Sequence, residues 1–184
     1  ANQVRKAVPD ILEDAENKLT VLSRRHISNL YDELTGLDEQ IKALDKELST
    51  LSKTKKVCER LKTMTGIGAI IATAFYSAVG DGKAFKNGRH VAAWLGLVAK
   101  QHTTGDNPNL KGISKRGNTY LRTQLINGAR AALVKAGNKT DKVSQWANSL
   151  RERLPFNKAV VALANKMARM AWAMVVKEED YKFA

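Results

Sequence analysis

From residue 27 onward the apolar positions fall at Ile27, Leu30, Leu34, Leu37, Ile41, Leu44, Leu48 and Leu51, in steps that alternate three and four. This is a heptad seam sustained for more than three repeats, with acids and lysines between its members. It predicts one long helix over about 19–52. Gly36 lies off the seam, so it weakens the helix without breaking the pattern. A seam this narrow cannot bury itself and needs a second helix. That helix comes either from this chain, as a helical hairpin, or from a second copy, as a dimerising coiled coil. The upstream segment is too short to cover the whole seam, which favours the second copy. Upstream, Leu12, Leu19 and Leu22 are out of frame, and Pro9 suits a helix start, so a short helix is expected near 9–16. The seam fails at "SKTKK", where position 55 is lysine. A boundary at 52–56 divides a coiled-coil or dimerisation region, 1–54, from a second region, 55–184.

Beyond the boundary the pattern is a series of shorter helices. One ends near Thr63, Gly66 and Gly68 flank Ile67, and an alanine-rich helix runs to about Val79. This resembles a helix-hairpin-helix motif. Its glycines permit a tight turn and bring backbone N–H groups at a helix start close to a phosphate. The plainer reading is a packed corner. "NGRHVAAWLGL" reads as a short helix with Asn87 as cap, Gly96 as stop, and Val91, Trp94 and Leu95 on a core face. Residues 97–113 have no helical period and are punctuated by Gly105, Pro108 and Gly112. Long irregular segments in compact domains are often functional. This one contains "HTTGDN". A helix then starts with Ser114 or Asn118 as cap, and carries the small-residue stripe Leu121, Leu125, Gly128, Ala129, Ala132 and Ala136. Pro155 separates two final helices. The last is apolar nearly all round and therefore buried. Its one polar stripe, Lys158, Asn165 and Arg169, faces water or a nucleic acid. The fold class is all-α: a long coiled-coil helix followed by a compact helical domain.

Charge sharpens the division. Residues 1–50 hold 7 Lys+Arg against 10 Asp+Glu, and residues 51–184 hold 24 against 8, within a total of +13. A basic second region most simply faces nucleic-acid phosphates. No basic helix has the aromatic-rich face of a membrane-surface segment, and no run of 18 apolar residues predicts a membrane span. The start, "ANQVRKAVPD", has no signal-peptide pattern, and its alanine suggests a piece of a longer protein. The single cysteine, Cys58, rules out a disulfide within the chain and suits a reducing cytoplasm. Lys115, Arg116 and Arg122 sit at or near a helix N-terminus, where positive charge opposes the helix dipole unless an anion binds.

Self-sufficient catalysis has little to work with. His26, His90 and His102 lack zinc-ligand spacing, and there is no GxxxxGK[ST] phosphate loop. The acids of the second region are few and dispersed, whereas two-metal phosphodiester chemistry needs converging carboxylates. An enzyme built on this chain has part of its site elsewhere.

In order, "TGIGAIIATA", "FKNGRHVAAWLGLVAKQHTTGD" and "GISKRGNTYLRTQLINGARA" resemble the C-terminal transposase domain of the insertion sequence 110 family, in particular its 1111 branch. The Piv invertase is related to that family. The resemblance runs from about residue 8 to 176 and is most specific over 85–131. It implies a DNA transposase or site-specific recombinase of bacterial cytoplasm, nucleoid-associated, acting as a homo-dimer or tetramer on DNA. It implies a noncoding guide RNA, and an N-terminal RuvC-like domain, absent here, whose acids bind Mg2+. No cofactor or metal is expected in this chain itself. The family's nucleophile is a serine after a "QH" or "QY" pair. The pair here is Gln101–His102, so the resemblance assigns the nucleophile position to Thr104, with Thr103 as the alternative. Threonine stands where serine is expected. Its extra methyl hinders in-line attack, although a base beside it can activate it. Lys100, His102, Lys115, Arg116, Asn118 and Arg122 would hold phosphates beside that loop, and Gly66 and Gly68 would grip a backbone. The alternative is a nucleic-acid-binding and dimerising module without chemistry of its own.

Overall fold

The computed structural model describes residues 2–102, 109–137 and 139–182. Eight helices and one antiparallel ribbon appear among them: α1 Asn2–Glu13, α2 Val21–Thr54, α3 Lys56–Lys62, α4 Ala69–Val79, α5 Gly88–Trp94, β1 Ala99–Gln101, β2 Leu110–Ile113, α6 Thr119–Val134, α7 Lys142–Arg153 and α8 Phe156–Lys177. The fold is all-α apart from the small ribbon. The chain divides into two compact units, Ala1–Glu47 and Leu48–Ala184.

The first unit is built by polar links. Thr20 caps α2, its hydroxyl accepting from the Ser23 amide (3.1 Å). The Arg24 guanidinium closes the C-terminal end of α1, donating to the carbonyls of Leu12 (2.7 Å) and Asp14 (2.6 Å). Arg5 forms a bidentate pair with Asp38 (2.6 and 2.9 Å). Pro9 does not start a helix. It lies inside α1. A proline there removes the hydrogen bond that the Arg5 carbonyl would accept. The Tyr31 hydroxyl donates to that carbonyl instead (3.3 Å), which makes the interior proline tolerable. The predicted seam is continuous along α2, but Leu30, Leu37, Ile41 and Leu44 are 48–65% exposed. Within one chain, α1 does not bury it.

The second unit has a true core. α8 is its centre and packs against α3, α5, α6 and α7. Ala159, Leu163, Met167, Ala168 and Ala171 on α8 are buried, as are Phe75, Leu121, Leu125 and Leu133. α8 is long and apolar enough by composition to cross a bilayer, but half of its most apolar window is buried inside the protein. The turn between α3 and α4 meets α6 where Gly66 and Gly128 touch backbone to backbone. A Cβ on Gly128 would strike the Gly66 carbonyl oxygen. The small-residue stripe of α6 therefore serves close packing. Beyond α8 the chain returns to α3: the Tyr181 amide donates to the Thr63 hydroxyl (3.0 Å), and Arg60 faces Glu178 and Asp180 (3.9 and 3.7 Å).

The stretch 97–113 is not wholly irregular. β1 and β2 pair antiparallel, Ala99 opposite Ile113 and Gln101 opposite Leu110, with an irregularity between. The His102 amide donates to the Asn109 carbonyl (2.9 Å) and continues the ladder by one bond.

Candidate nucleic-acid interface

Three features of the second unit are candidates to meet a phosphate backbone: two carry cations and the third is a glycine turn at a helix start. The first is the basic turn "SKRG", 114–117. Its backbone is tied to the end of α5: the Ser114 amide donates to the Val98 carbonyl (2.8 Å) and the Lys115 amide to the Gly96 carbonyl (3.1 Å). Gly117 (φ +79°) lies directly against the Trp94 carbonyl, a place closed to any side chain. Lys115 itself adopts φ +56°. For a residue with a side chain that conformation costs about 1–2 kcal/mol, so the turn is held by its surroundings. The Lys115 and Arg116 side chains are exposed.

Arg122 behaves differently from its neighbours. It is only 7% exposed. Its guanidinium donates to the carbonyls of Leu95 and Arg116 (3.0 Å each) and to the Thr119 hydroxyl (3.1 Å). Expected at a phosphate, it instead clamps the turn that carries Lys115 and Arg116. Asn118, also expected at a phosphate, caps α6, its side-chain oxygen accepting from the Leu121 amide (3.0 Å). The cap is therefore Asn118, not Ser114. Asn87 caps α5 as predicted, accepting from the His90 amide (3.1 Å). Trp94 is not a core residue. It is 37% exposed, its ring edge-on to Phe85 at 5.4 Å.

The second feature is the ribbon. Lys100 and His102 are exposed on it. Thr103 and Thr104 lie outside the described residues, in the segment that connects β1 to β2. The third is the turn between α3 and α4. Gly66 (φ +92°) packs on α6 as described, whereas Gly68, at the start of α4, is exposed with open space where a Cβ would stand. Sequence reasoning treated the two glycines alike. The structure gives them different surroundings.

A groove of about 1100 Å³ escaped sequence reasoning. Its lining includes Arg89 of α5, Trp146 of α7, and Lys158, Lys166 and Arg169 of α8. Ala99 and Ile113, paired at the base of the ribbon, also line it. The polar stripe of α8 therefore faces this groove. Asn165 is fixed there by donating to the Leu97 carbonyl (3.0 Å). The Lys166 ammonium sits 4.1 Å from the centre of the Trp146 ring. Burial, and then the Arg169 charge, hold its pKa below the usual lysine range. Arg89, Lys158 and Arg169 form no ion pair among the described residues. Cys58 takes no part: it is buried in the core, and burial raises its thiol pKa against the lowering effect of Lys62 and Lys55.

Residues 58–145 match the family model described as Transposase IS116/IS110/IS902 family. This segment is therefore similar to the transposases of that family. It holds the turn after α3, the ribbon and the basic turn. The chain is 42% identical over 182 residues to the "Transposase for insertion sequence element IS1111A" of Coxiella burnetii (strain RSA 493 / Nine Mile phase I), covering 99% of this chain and 50% of that protein. It is 45% identical over 156 residues to a "Probable family 20 transposase" of Pseudomonas aeruginosa, covering 85% and 46%. It is 34% identical over 162 residues to the "Transposase for insertion sequence element IS1328" of Yersinia enterocolitica, covering 88% and 48%. The chain thus spans about half the length of the curated relatives it matches.

Proposed function

We propose that this chain is the coiled-coil and C-terminal part of an insertion-sequence transposase, which binds DNA and supplies a hydroxyl nucleophile for strand cleavage and exchange. The observation that carries the reading is the transposase-like segment at 58–145, whose basic turn is backbone-locked and displays two exposed cations. Lys115 and Arg116 position a DNA phosphate and offset the charge that grows in the transition state. The Gly68 end of α4 adds backbone N–H contact to a strand, in the manner of a helix-hairpin-helix. The Thr104 hydroxyl, or that of Thr103, attacks phosphorus. One ester bond to a sugar oxygen breaks, the hydroxyl proton passes to a base, and the leaving oxygen gains a proton. A phosphothreonine link holds the strand until exchange. An acidic RuvC-like domain outside this chain would hold Mg2+, which would supply charge stabilisation. A structured noncoding RNA selects the DNA sites, and the α2 seam joins two copies so that two duplexes are exchanged together.

The test uses the full-length transposase with its RNA, Mg2+ and DNA, and a denaturing gel that reports a covalent protein–DNA adduct. The adduct is expected from the wild type and lost in Thr104→Ala. Loss in Thr103→Ala instead moves the nucleophile by one residue. An adduct from Thr104→Ser alone identifies a decayed copy. No adduct from any variant, with DNA still bound, leaves a binding and dimerising module and removes the catalytic half of the proposal.

A further inference from the structure

Most of the positive charge on this surface needs only a phosphate to satisfy it, but the groove on α8 asks for more. Four cations, Arg89, Lys158, Lys166 and Arg169, line it, and no acid does among the described residues. Between them the wall is apolar, with Trp146 and Met170 beside small aliphatic residues. A duplex would touch such a groove at its rim only. Its bases are stacked inside the helix and cannot reach an apolar floor. An unpaired strand presents both parts at once, a base for the floor and a phosphate for the rim. The volume, about 1100 Å³, is at or above the upper end of the range for small-ligand pockets, about 300–1,000 Å³. It suits a piece of a strand better than an isolated small molecule.

We infer that the groove between α5, α7 and α8 seats an unstacked nucleotide of a single strand, with its base on the Trp146 and Met170 side and its phosphate on Lys158 and Arg169. This rests on the nucleic-acid reading above and extends it to a second site. Lys166 fits the role. It is half-buried over Trp146, repelled by Arg169, and relieved when an anion arrives between them. The groove also meets the base of the ribbon at Ala99 and Ile113, so a strand seated in it leaves beside the two strands that carry the hydroxyl segment. The chemistry is shared by RNA and by displaced DNA.

The experiment uses the 184-residue chain with short RNA and DNA oligonucleotides carrying 4-thiouracil or 4-thiothymine, photocrosslinked and mapped by mass spectrometry. An unlabelled duplex is titrated in parallel. Crosslinks in the α7 and α8 peptides are expected. Lys158→Glu/Arg169→Glu, both exposed and outside the core, should weaken single-strand binding about tenfold or more and duplex binding far less. A higher crosslink yield with one oligonucleotide names the source of the strand. Crosslinks confined to other segments overturn the inference, as does equal weakening of strand and duplex. Displacement of the bound strand by polyglutamate as readily as by unlabelled strand, at matched ionic strength, also overturns it and makes the groove a site for acidic protein. If neither strand nor duplex binds, the wider nucleic-acid reading falls too. If the duplex binds and no strand reaches the groove, only this inference falls.

Discussion

The two units use apolar residues in opposite ways. In Leu48–Ala184 they converge: Phe75, Leu125, Leu133 and Met167 are almost wholly buried. In Ala1–Glu47 they form a line, and Leu30, Leu37, Ile41 and Leu44 remain exposed. Charge differs as well, with a small acidic excess over 1–50 and a large basic one over 51–184. A unit that has its own core can devote its surface to phosphates. A unit whose apolar line stays exposed among the described residues leaves that line open to a partner. Under the proposed function the difference separates two tasks, assembly by α2 and nucleic-acid binding by the second unit.

The largest expected effect tests the first task. Leu37→Asp/Ile41→Asp places charge on the seam. Burying one such side chain is worth about 1.5–3 kcal/mol, and two are lost per copy, so the proposed dimer should weaken at least about 100-fold. Sedimentation equilibrium measures this. An unchanged dimer would mean that the second unit holds the copies together and that the comparison is misdrawn. A smaller effect tests how the second unit presents its charge. Arg122→Met leaves the Leu95 and Arg116 carbonyls without their donor and should cost about 1–3 kcal/mol in urea unfolding. Amide exchange at Lys115 and Arg116 should accelerate. Arg122→Lys should not restore protection, because an ammonium lacks the planar fork that reaches three acceptors. The smallest effect is local. Lys115→Gln and Arg116→Gln should each lower the salt dependence of DNA binding by about one phosphate contact, with little change in stability. If either instead unfolds the protein, the turn is structural and not an interface.

The sequence was most legible where one local rule sufficed. The heptad period of α2 needs no partner to be seen, and the Asn87 cap follows from residue type at a helix start. The errors have a common cause in distant partners. Pro9 looks like a helix start until Tyr31 supplies a donor to the Arg5 carbonyl. Arg122 looks like a phosphate ligand until its acceptors are known, and one of them, Leu95, lies 27 residues away. The ribbon strands have three and four residues, nearly all exposed, and so carry no alternation to read. The groove is lined from several separated segments, which no single stretch reveals. Its α8 wall was legible as the polar stripe Lys158, Asn165 and Arg169, which Ala162 and Ala173 extend at three- and four-residue steps along one face. The hydroxyl pair, Thr103 and Thr104, rests on resemblance alone.

The division of tasks is tested most directly by the salt dependence of DNA binding, measured by fluorescence anisotropy on the wild-type chain and on Leu37→Asp/Ile41→Asp. Between about 50 and 200 mM KCl, both should lose affinity steeply, with a log–log slope of at least about 3, because the phosphate contacts belong to the second unit. A flat slope in the wild type, or a steep slope that disappears when the seam is broken, would contradict the assignment of nucleic-acid binding to Leu48–Ala184.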